Sequence, residues 1–147
     1  MSKTPKRIQP NDLCKTGKEE GEQAALICWT ALDDVKELYP DAIKIFAINN
    51  NAGKGDAKKG AFRGMMARMV GTKKGVWDLF LPVARHGFNG MFVEMKVRSR
   101  KPKRKGSKGG LSDDQISFGV QVREDGYATC VCYGWEEAAQ ALMQYLS

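Results

Sequence analysis

The chain has 147 residues, 42% of them hydrophobic and 28% charged, with a formal net charge of +7. That length fits one domain able to bury roughly two-thirds of its unfolded surface, and the balance argues against a disordered or membrane-embedded chain. The polar, basic start from Met1 to Asp12 has no apolar run, so neither a signal peptide nor an anchor is expected there, and an intracellular, cytoplasmic setting follows.

Residues 1–17 carry Lys, Pro and Gly without periodicity and are expected to form a frayed, flexible arm ahead of a domain at 18–147. From Lys18 onward, Ala25, Cys28, Trp29, Leu32 and Val35 or Lys36 recur at helical spacing, and Pro40 marks the end of this first helix. Ile43, Ile45, Phe46 and Ile48 predict a short strand that runs into a loop at Asn49-Asn50-Asn51-Ala52-Gly53. Lys59 to Val70 predicts a second helix, with Phe62, Met65, Met66 and Met69 on one side as core packing.

Gly71 to Gly75 breaks that pattern, and Val76 to Leu81 predicts a buried strand closed by Pro82. The turn Gly87-Phe88-Asn89-Gly90 then leads into Met91 to Val97, which predicts an antiparallel hairpin. Alternation along a strand puts Glu94 and Lys96 on one face, within reach of Asp78 on the neighbouring strand. Arg98 to Gly110 has seven basic residues and no hydrophobic one, so it is expected to be a mobile basic loop. Ser112-Asp113-Asp114-Gln115 has capping-box spacing and starts a long helix to about Glu124. Gly126 ends it; Tyr127 to Tyr133 predicts a strand, and Trp135, Ala138, Ala139, Leu142 and Leu146 a closing amphipathic helix. The order αβαββαβα gives an α/β fold, a mixed central sheet flanked by helices.

Charge singles out one region. Between Lys54 and Lys108 there are sixteen Lys or Arg against three acids, Asp56, Asp78 and Glu94, a net of about +13 that leaves about −6 for the rest. Two isolated carboxylates on hydrophobic strands within such a field point to a cation centre aimed at phosphate. Mg²⁺, or Mn²⁺ in its place, prefers a few carboxylate oxygens plus water, which Asp78 and Glu94 supply, with the Met95 carbonyl as a third ligand. Lys96 then holds the attacking water and counters charge building on phosphorus. The plain alternative is a surface hairpin with an Asp78–Lys96 salt bridge. Elsewhere the signals are weaker. Cys14, Cys28, Cys130 and Cys132 form no CxxC pair and read as buried small hydrophobes, and His86 reads as a solvated turn residue.

Gly75 to Leu81, Gly90 to Lys96, Leu111 to Gln115 and the ending Cys130-Val131-Cys132-Tyr133-Gly134-Trp135-Glu136 together resemble the virus-type replication-repair nuclease (VRR-NUC) domain, of the PD-(D/E)XK nuclease superfamily. The resemblance spans about residues 19 to 146 and departs at Trp77, where the family usually has proline. It implies a restriction-endonuclease-like αβββαβ core with extra helices. It also implies a first-helix glutamate with a glutamine one turn on, matched by Glu19 and Gln23, with Glu20 and Glu22 as neighbouring candidates; that glutamate would bind the metal or hold a second ion. Gln115 matches a glutamine near the family's site but also stands at the capping-box position, and Asn50 matches a substrate-facing asparagine.

Three functional classes follow. The first is a divalent-metal-dependent endonuclease acting on branched DNA, which the resemblance implies to be a homodimeric resolvase of Holliday junctions, with an exposed Met-rich or aromatic surface as the dimer contact. A monomeric flap- or nick-directed nuclease is the alternative within that class, and a phage gene in a bacterial host is left open as the source. The second is a non-catalytic DNA binder, and the third a basic domain for acidic proteins. In the first two, Arg98, Arg100, Lys101, Lys103, Arg104, Lys105 and Lys108 are the expected phosphate contacts on branched or duplex DNA. Neither a membrane nor a nucleotide cofactor is expected.

Overall fold

A computed structural model describes residues 6–49 and 57–147, the side chains of 57–59 excepted. Its elements are α1 (Pro10–Leu13), α2 (Glu19–Thr30), α3 (Asp33–Leu38), β1 (Phe46–Ala47), α4 (Ala57–Met69), β2 (Leu79–Leu81), β3 (Met91–Lys96), α5 (Asp113–Glu124), β4 (Ala128–Tyr133) and α6 (Trp135–Leu146). The strands form one mixed sheet in the order β1-β2-β3-β4; β1, β2 and β3 run antiparallel to their neighbours, and β4 lies parallel to β3. A parallel partner requires a crossover, which α5 provides. The run α2-β1-β2-β3-α5-β4 is the expected αβββαβ core, with α1, α3, α4 and α6 added. Among the described residues no helix is long and apolar enough to cross a membrane.

Alternation along β3 splits the interior in two. Met91, Val93 and Met95 join Leu79 and Leu81 in the main core, against Leu26 and Trp29 of α2 and Ala138, Ala139 and Leu142 of α6. Phe92 faces the other way, into a smaller aromatic cluster with Phe80 at 4.6 Å, Phe118 of α5 at 5.1 Å and Tyr127 at 5.4 Å between ring centroids. Glu94 and Lys96 follow Phe92 on this second face.

Several expectations are corrected. Residues 10–16 are not an irregular arm: α1 and a 3₁₀ turn at Cys14–Thr16 lie so close to α2 that a Cβ on Gly21 would come within 2.7 Å of the Leu13 carbonyl oxygen. Trp135 Nε1 donates to Asn11 Oδ1 at 3.1 Å, tying the same segment to α6. The single helix expected up to Pro40 breaks after Thr30, whose buried hydroxyl donates to the Ile27 carbonyl at 2.7 Å, a back-bond that weakens helix continuation. The strand expected over 43–48 shrinks to Phe46–Ala47, because Pro40–Lys44 winds into a 3₁₀ turn held by Asp41, which pairs with Lys44 and Arg85, each at 2.6 Å. The α4 stripe is not core: Phe62, Met69 and Val70 are 61%, 73% and 78% exposed, and Met65 and Met66 are exposed too.

The hairpin forms, with its first strand shortened from Val76–Leu81 to Leu79–Leu81 and its tight turn centred on His86-Gly87 rather than within Gly87–Gly90, and the later elements follow expectation. Arg85 and Phe88 bridge a tight turn with positive φ at both central residues, His86 and Gly87, as the strand twist of a two-residue turn demands. His86 is exposed in that turn. Ser112 caps α5 through Gln115 N at 3.2 Å, and the Gln115 side chain returns the bond by accepting from Ser112 N at 3.0 Å.

Candidate active site

The β2–β3 register sets the site. Leu79 pairs with Val93, Phe80 with Phe92 and Leu81 with Met91, so one further step of the ladder brings Asp78 opposite Glu94. There the side chains replace the ladder. Asp78 N donates to Glu94 Oε2 at 3.2 Å, and Met95 N donates to Asp78 Oδ2 at 3.0 Å.

The other oxygen of Glu94 is engaged as well. Glu94 Oε1 lies 2.9 Å from Lys96 Nζ and accepts from Gln115 Nε2 at 2.5 Å. Glu94 is 1% exposed and Lys96 6%, so both charges are held away from water, where an ion pair is sustained only by such dense hydrogen bonding. Lys96 thus pairs with Glu94, not with Asp78 as the plain alternative had it. Glu19 Oε1, at the first turn of α2, is 3.6 Å from Lys96 Nζ. Of its neighbours, Glu22 is occupied elsewhere: its Oε2 accepts from Trp135 N at 2.8 Å and its Oε1 lies 3.6 Å from Arg98 Nε. Glu20 is exposed and makes none of these bonds. Gln115 does both things considered for it, closing the cap of α5 with its oxygen and reaching Glu94 with its nitrogen.

Trp77, standing where the resembled family has proline, fastens α5 to this centre. Its Nε1 donates to the Gln115 carbonyl at 2.9 Å, and its ring lies so close to α5 that a Cβ on Gly119 would meet it at 2.7 Å. Trp77→Phe keeps most of the buried ring but removes the donor, so a loss of about 1–2 kcal/mol is expected in chemical denaturation. An unchanged midpoint and slope would show that the bond to Gln115 adds nothing.

Burial pushes the Glu94 carboxyl up from its usual 4.5 to about 7, with the charge of Asp78 adding to the rise and Lys96 opposing it. Burial also raises Asp78, against the pull of the Met95 N–H and Lys96. At Lys96, burial works against the charge, but Glu94, Glu19 and Asp78 outweigh it and hold the ammonium protonated. The sign for stability follows. A carboxyl raised by folding binds its proton more tightly folded than unfolded, so stability falls as pH rises through the window from about 4.5 to about 7. Without divalent cations the melting temperature is expected to drop across that window, by a free energy on the order of 3 kcal/mol. Glu94→Gln should flatten most of the slope, and a wild-type curve already flat there would contradict the raised carboxyl.

Two carboxylates pressed together away from water, each made harder to ionise, form a donor set that a hard divalent cation relieves. Among the described residues no three acid, His or Cys side chains cluster closely enough to enclose an ion alone. A cation here would complete its shell with backbone carbonyl and water, as Mg²⁺ commonly does. The residues present thus fit Mg²⁺ or Mn²⁺.

A solved structure described as a VRR_NUC domain protein is similar to this one, with a TM-score of 0.60 and 18% sequence identity over 87% of each chain. The fold is that of a VRR_NUC domain protein. No family model and no curated protein matches the sequence. The likeness is one of fold, and within that fold Glu94 and Lys96 lie on β3 of the mixed four-stranded sheet, with Asp78 at the entry to β2.

The fold holds the expected phosphate contacts unevenly. Arg98 pairs with Glu136, Lys101 with Glu137, and Lys108 with Asp113 at 2.6 Å, so three cations of the basic loop already face acids. Both ends of that loop are anchored, Arg98–Arg100 as a 3₁₀ turn and Gly109 beneath Tyr133, whose hydroxyl donates to the Gly109 carbonyl at 3.0 Å. Arg100, Lys103, Arg104 and Lys105 are exposed and take part in no ion pair among the described residues. Asn50 lies outside the described residues. A different set of cations was missed from sequence: Arg68, Lys73 and Lys74, which with Asp78 and Gln115 line a cleft of about 620 Å³. The available signal was their position just before and within the Gly71–Gly75 break that feeds Asp78 into β2.

Proposed function

We propose that the protein is a divalent-metal-dependent endonuclease of the PD-(D/E)XK type that hydrolyses phosphodiesters in branched DNA. The observation that carries this reading is the convergence of Asp78, Glu94 and Lys96, with Gln115 and Glu19 bonded to the same group of charges. Support comes also from the strongly basic surroundings and from the VRR_NUC fold.

Asp78, Glu94 and the Met95 carbonyl would hold the cation. When bound, Mg²⁺ or Mn²⁺ supplies positive charge to the phosphoryl oxygens and makes coordinated water more acidic. Lys96, kept protonated by its acidic neighbours, orients the attacking water and offsets charge gathering on the phosphorus. Glu19 steadies the Lys96 ammonium from the α2 side, and Gln115 keeps the Glu94 carboxylate aimed while α5 fixes Gln115 in turn. The decisive experiment is cleavage of a synthetic four-way junction with Mg²⁺. Cutting by the wild type supports the reading; binding without cutting, under Mg²⁺ and Mn²⁺ alike, favours a non-catalytic DNA binder.

We infer a homodimer on one observation, the exposed Phe62, Met65, Met66 and Met69 stripe of α4, an apolar strip that a second copy would cover. Two sites across a two-fold axis suit paired cuts in a junction. Sedimentation should find a dimer that Met69→Glu dissociates; a strict monomer points instead to a flap- or nick-directed nuclease.

A further inference from the structure

Two hollows of opposite character meet at Asp78. On one side is the cleft lined by Arg68, Thr72, Lys73, Lys74 and Gly75, with Asp78 and Gln115 at its floor. On the other is a groove of about 780 Å³ between α2 and the β1 edge, lined by Ile8, Glu19, Glu20, Gln23, Ile27 and Ile48 together with Asp78. The first presents three cations beside the Asp114 carboxylate; the second presents Glu19 and Glu20 among apolar side chains, with no cation in its lining.

Pairing sharpens the contrast. Among the described residues, Arg68, Lys73 and Lys74 enter none of the ion pairs, nor do four cations of the basic loop, whereas its other three, Arg98, Lys101 and Lys108, are each committed to an acid. A cation already facing a carboxylate must break that contact to serve a phosphate, so the unpaired three gain more from an arriving polyanion. The cleft wall is also firmly placed. Gly75 has φ +81, and its α-carbon comes so near α5 that a Cβ there would sit 2.4 Å from the Asp114 carbonyl carbon. The Thr72–Gly75 turn, carrying Lys73 and Lys74, is thus seated on the start of α5, where Ser112, Asp114 and Gln115 also line the cleft.

We propose that Arg68, Lys73 and Lys74 are a phosphate-binding wall that seats the DNA strand on one side only of the scissile bond, leaving the Glu19–Glu20 groove free of backbone phosphate. The inference rests on Asp78 marking the scissile position, as in the proposed function. It gives the site a direction: strand phosphates run from Asp78 into the cationic cleft, and on the far flank the chain of phosphates must leave the surface, because carboxylates there repel it. Substrates whose backbone departs from the protein beside the cut, as at a branch point, suit this geometry better than uninterrupted duplex.

The test is DNA binding by wild type, Lys73→Gln/Lys74→Gln and Arg68→Gln in EDTA, where no cutting occurs. Each lost phosphate contact should lower the slope of log K against log salt by about one, hence about two for the lysine pair. The lysines are exposed and enter no ion pair among the described residues, so melting curves should not move. An unchanged salt slope in all variants would overturn the cleft, whether or not the protein proves to be a nuclease. The direction is tested separately, with single neutral methylphosphonates placed on either flank of the mapped cut. One flank should weaken wild-type binding about tenfold and have no further effect on the lysine variant. Equal effects on both flanks, or the same effect in both proteins, would reject one-sided seating while leaving catalysis by Asp78 and Glu94 intact; absence of any cut would instead reject the nuclease reading and, with it, the direction.

Discussion

Asp78→Asn is expected to lower junction cleavage by about 10³-fold or more while leaving DNA binding in place. The magnitude follows from the several kcal/mol of charge stabilisation that a correctly held cation supplies, at about 1.4 kcal/mol per tenfold. Asparagine is nearly isosteric, and its carbonyl oxygen can still accept from Met95 N, the bond made by Asp78 Oδ2 at 3.0 Å. The local backbone should therefore survive. Removing the charge also removes one of the two causes that raise Glu94, so the variant should melt no lower than wild type near neutral pH. Loss of cutting with a preserved or raised melting temperature is the signature expected of a ligand. Cutting at wild-type rate would reject the assignment, and a variant that neither melts cooperatively nor binds DNA would assign Asp78 to folding instead.

Gly75→Ala is expected to be severely damaging for so small a change, costing on the order of 3 kcal/mol or more. Two penalties combine. At φ +81 a Cβ is strained by about 1–2 kcal/mol, and this Cβ would also lie 2.4 Å from Asp114 C and 2.5 Å from Asp114 O, backbone atoms that can yield only by shifting α5. Gly71→Ala is the matched control, because Gly71 has φ +99 but nothing within 4 Å of the added methyl. It should show the conformational penalty alone, about a third to a half of the effect. Equal melting temperatures for the two variants would mean that the turn does not press on α5. Since Gln115 is on the first turn of α5, Gly75→Ala should also reduce cleavage beyond what its lower stability explains.

The parts of the site legible in the sequence were those fixed by short-range geometry. Alternation in Met91 to Lys96 and the turn before it place Glu94, Lys96 and Asp78 on one face, because strand period and hairpin closure leave little choice. The capping box at Ser112 located the start of α5 for the same reason. What escaped were facts decided by docking. Periodicity shows that Phe62, Met65, Met66 and Met69 share a side of α4 but not whether anything covers that side. Glu19 and Glu22 are neighbours on α2, yet only the placement of α6 turns Glu22 to Trp135 N and leaves Glu19 beside Lys96. Composition marked the loop after Lys96 as basic, but its partners Glu136 and Glu137 are more than thirty residues away, beyond the range of any local pattern. The break after Thr30 depends on a hydroxyl turning back to its own helix, an option that helical spacing does not reveal.

The bond from Trp135 N to Glu22 joins the two ends of the domain across 113 positions. Until α6 emerges, the Glu22 carboxylate has no such donor, Leu26 and Trp29 have no Ala138, Ala139 or Leu142 to cover them, and α2 cannot settle with Glu19 beside Lys96. A nascent chain from which α6 has not yet emerged therefore carries the hairpin without these contacts. Whatever chemistry Asp78 and Glu94 perform is thus tied to the docking of α6, and cleavage at Gly134 is expected to abolish it.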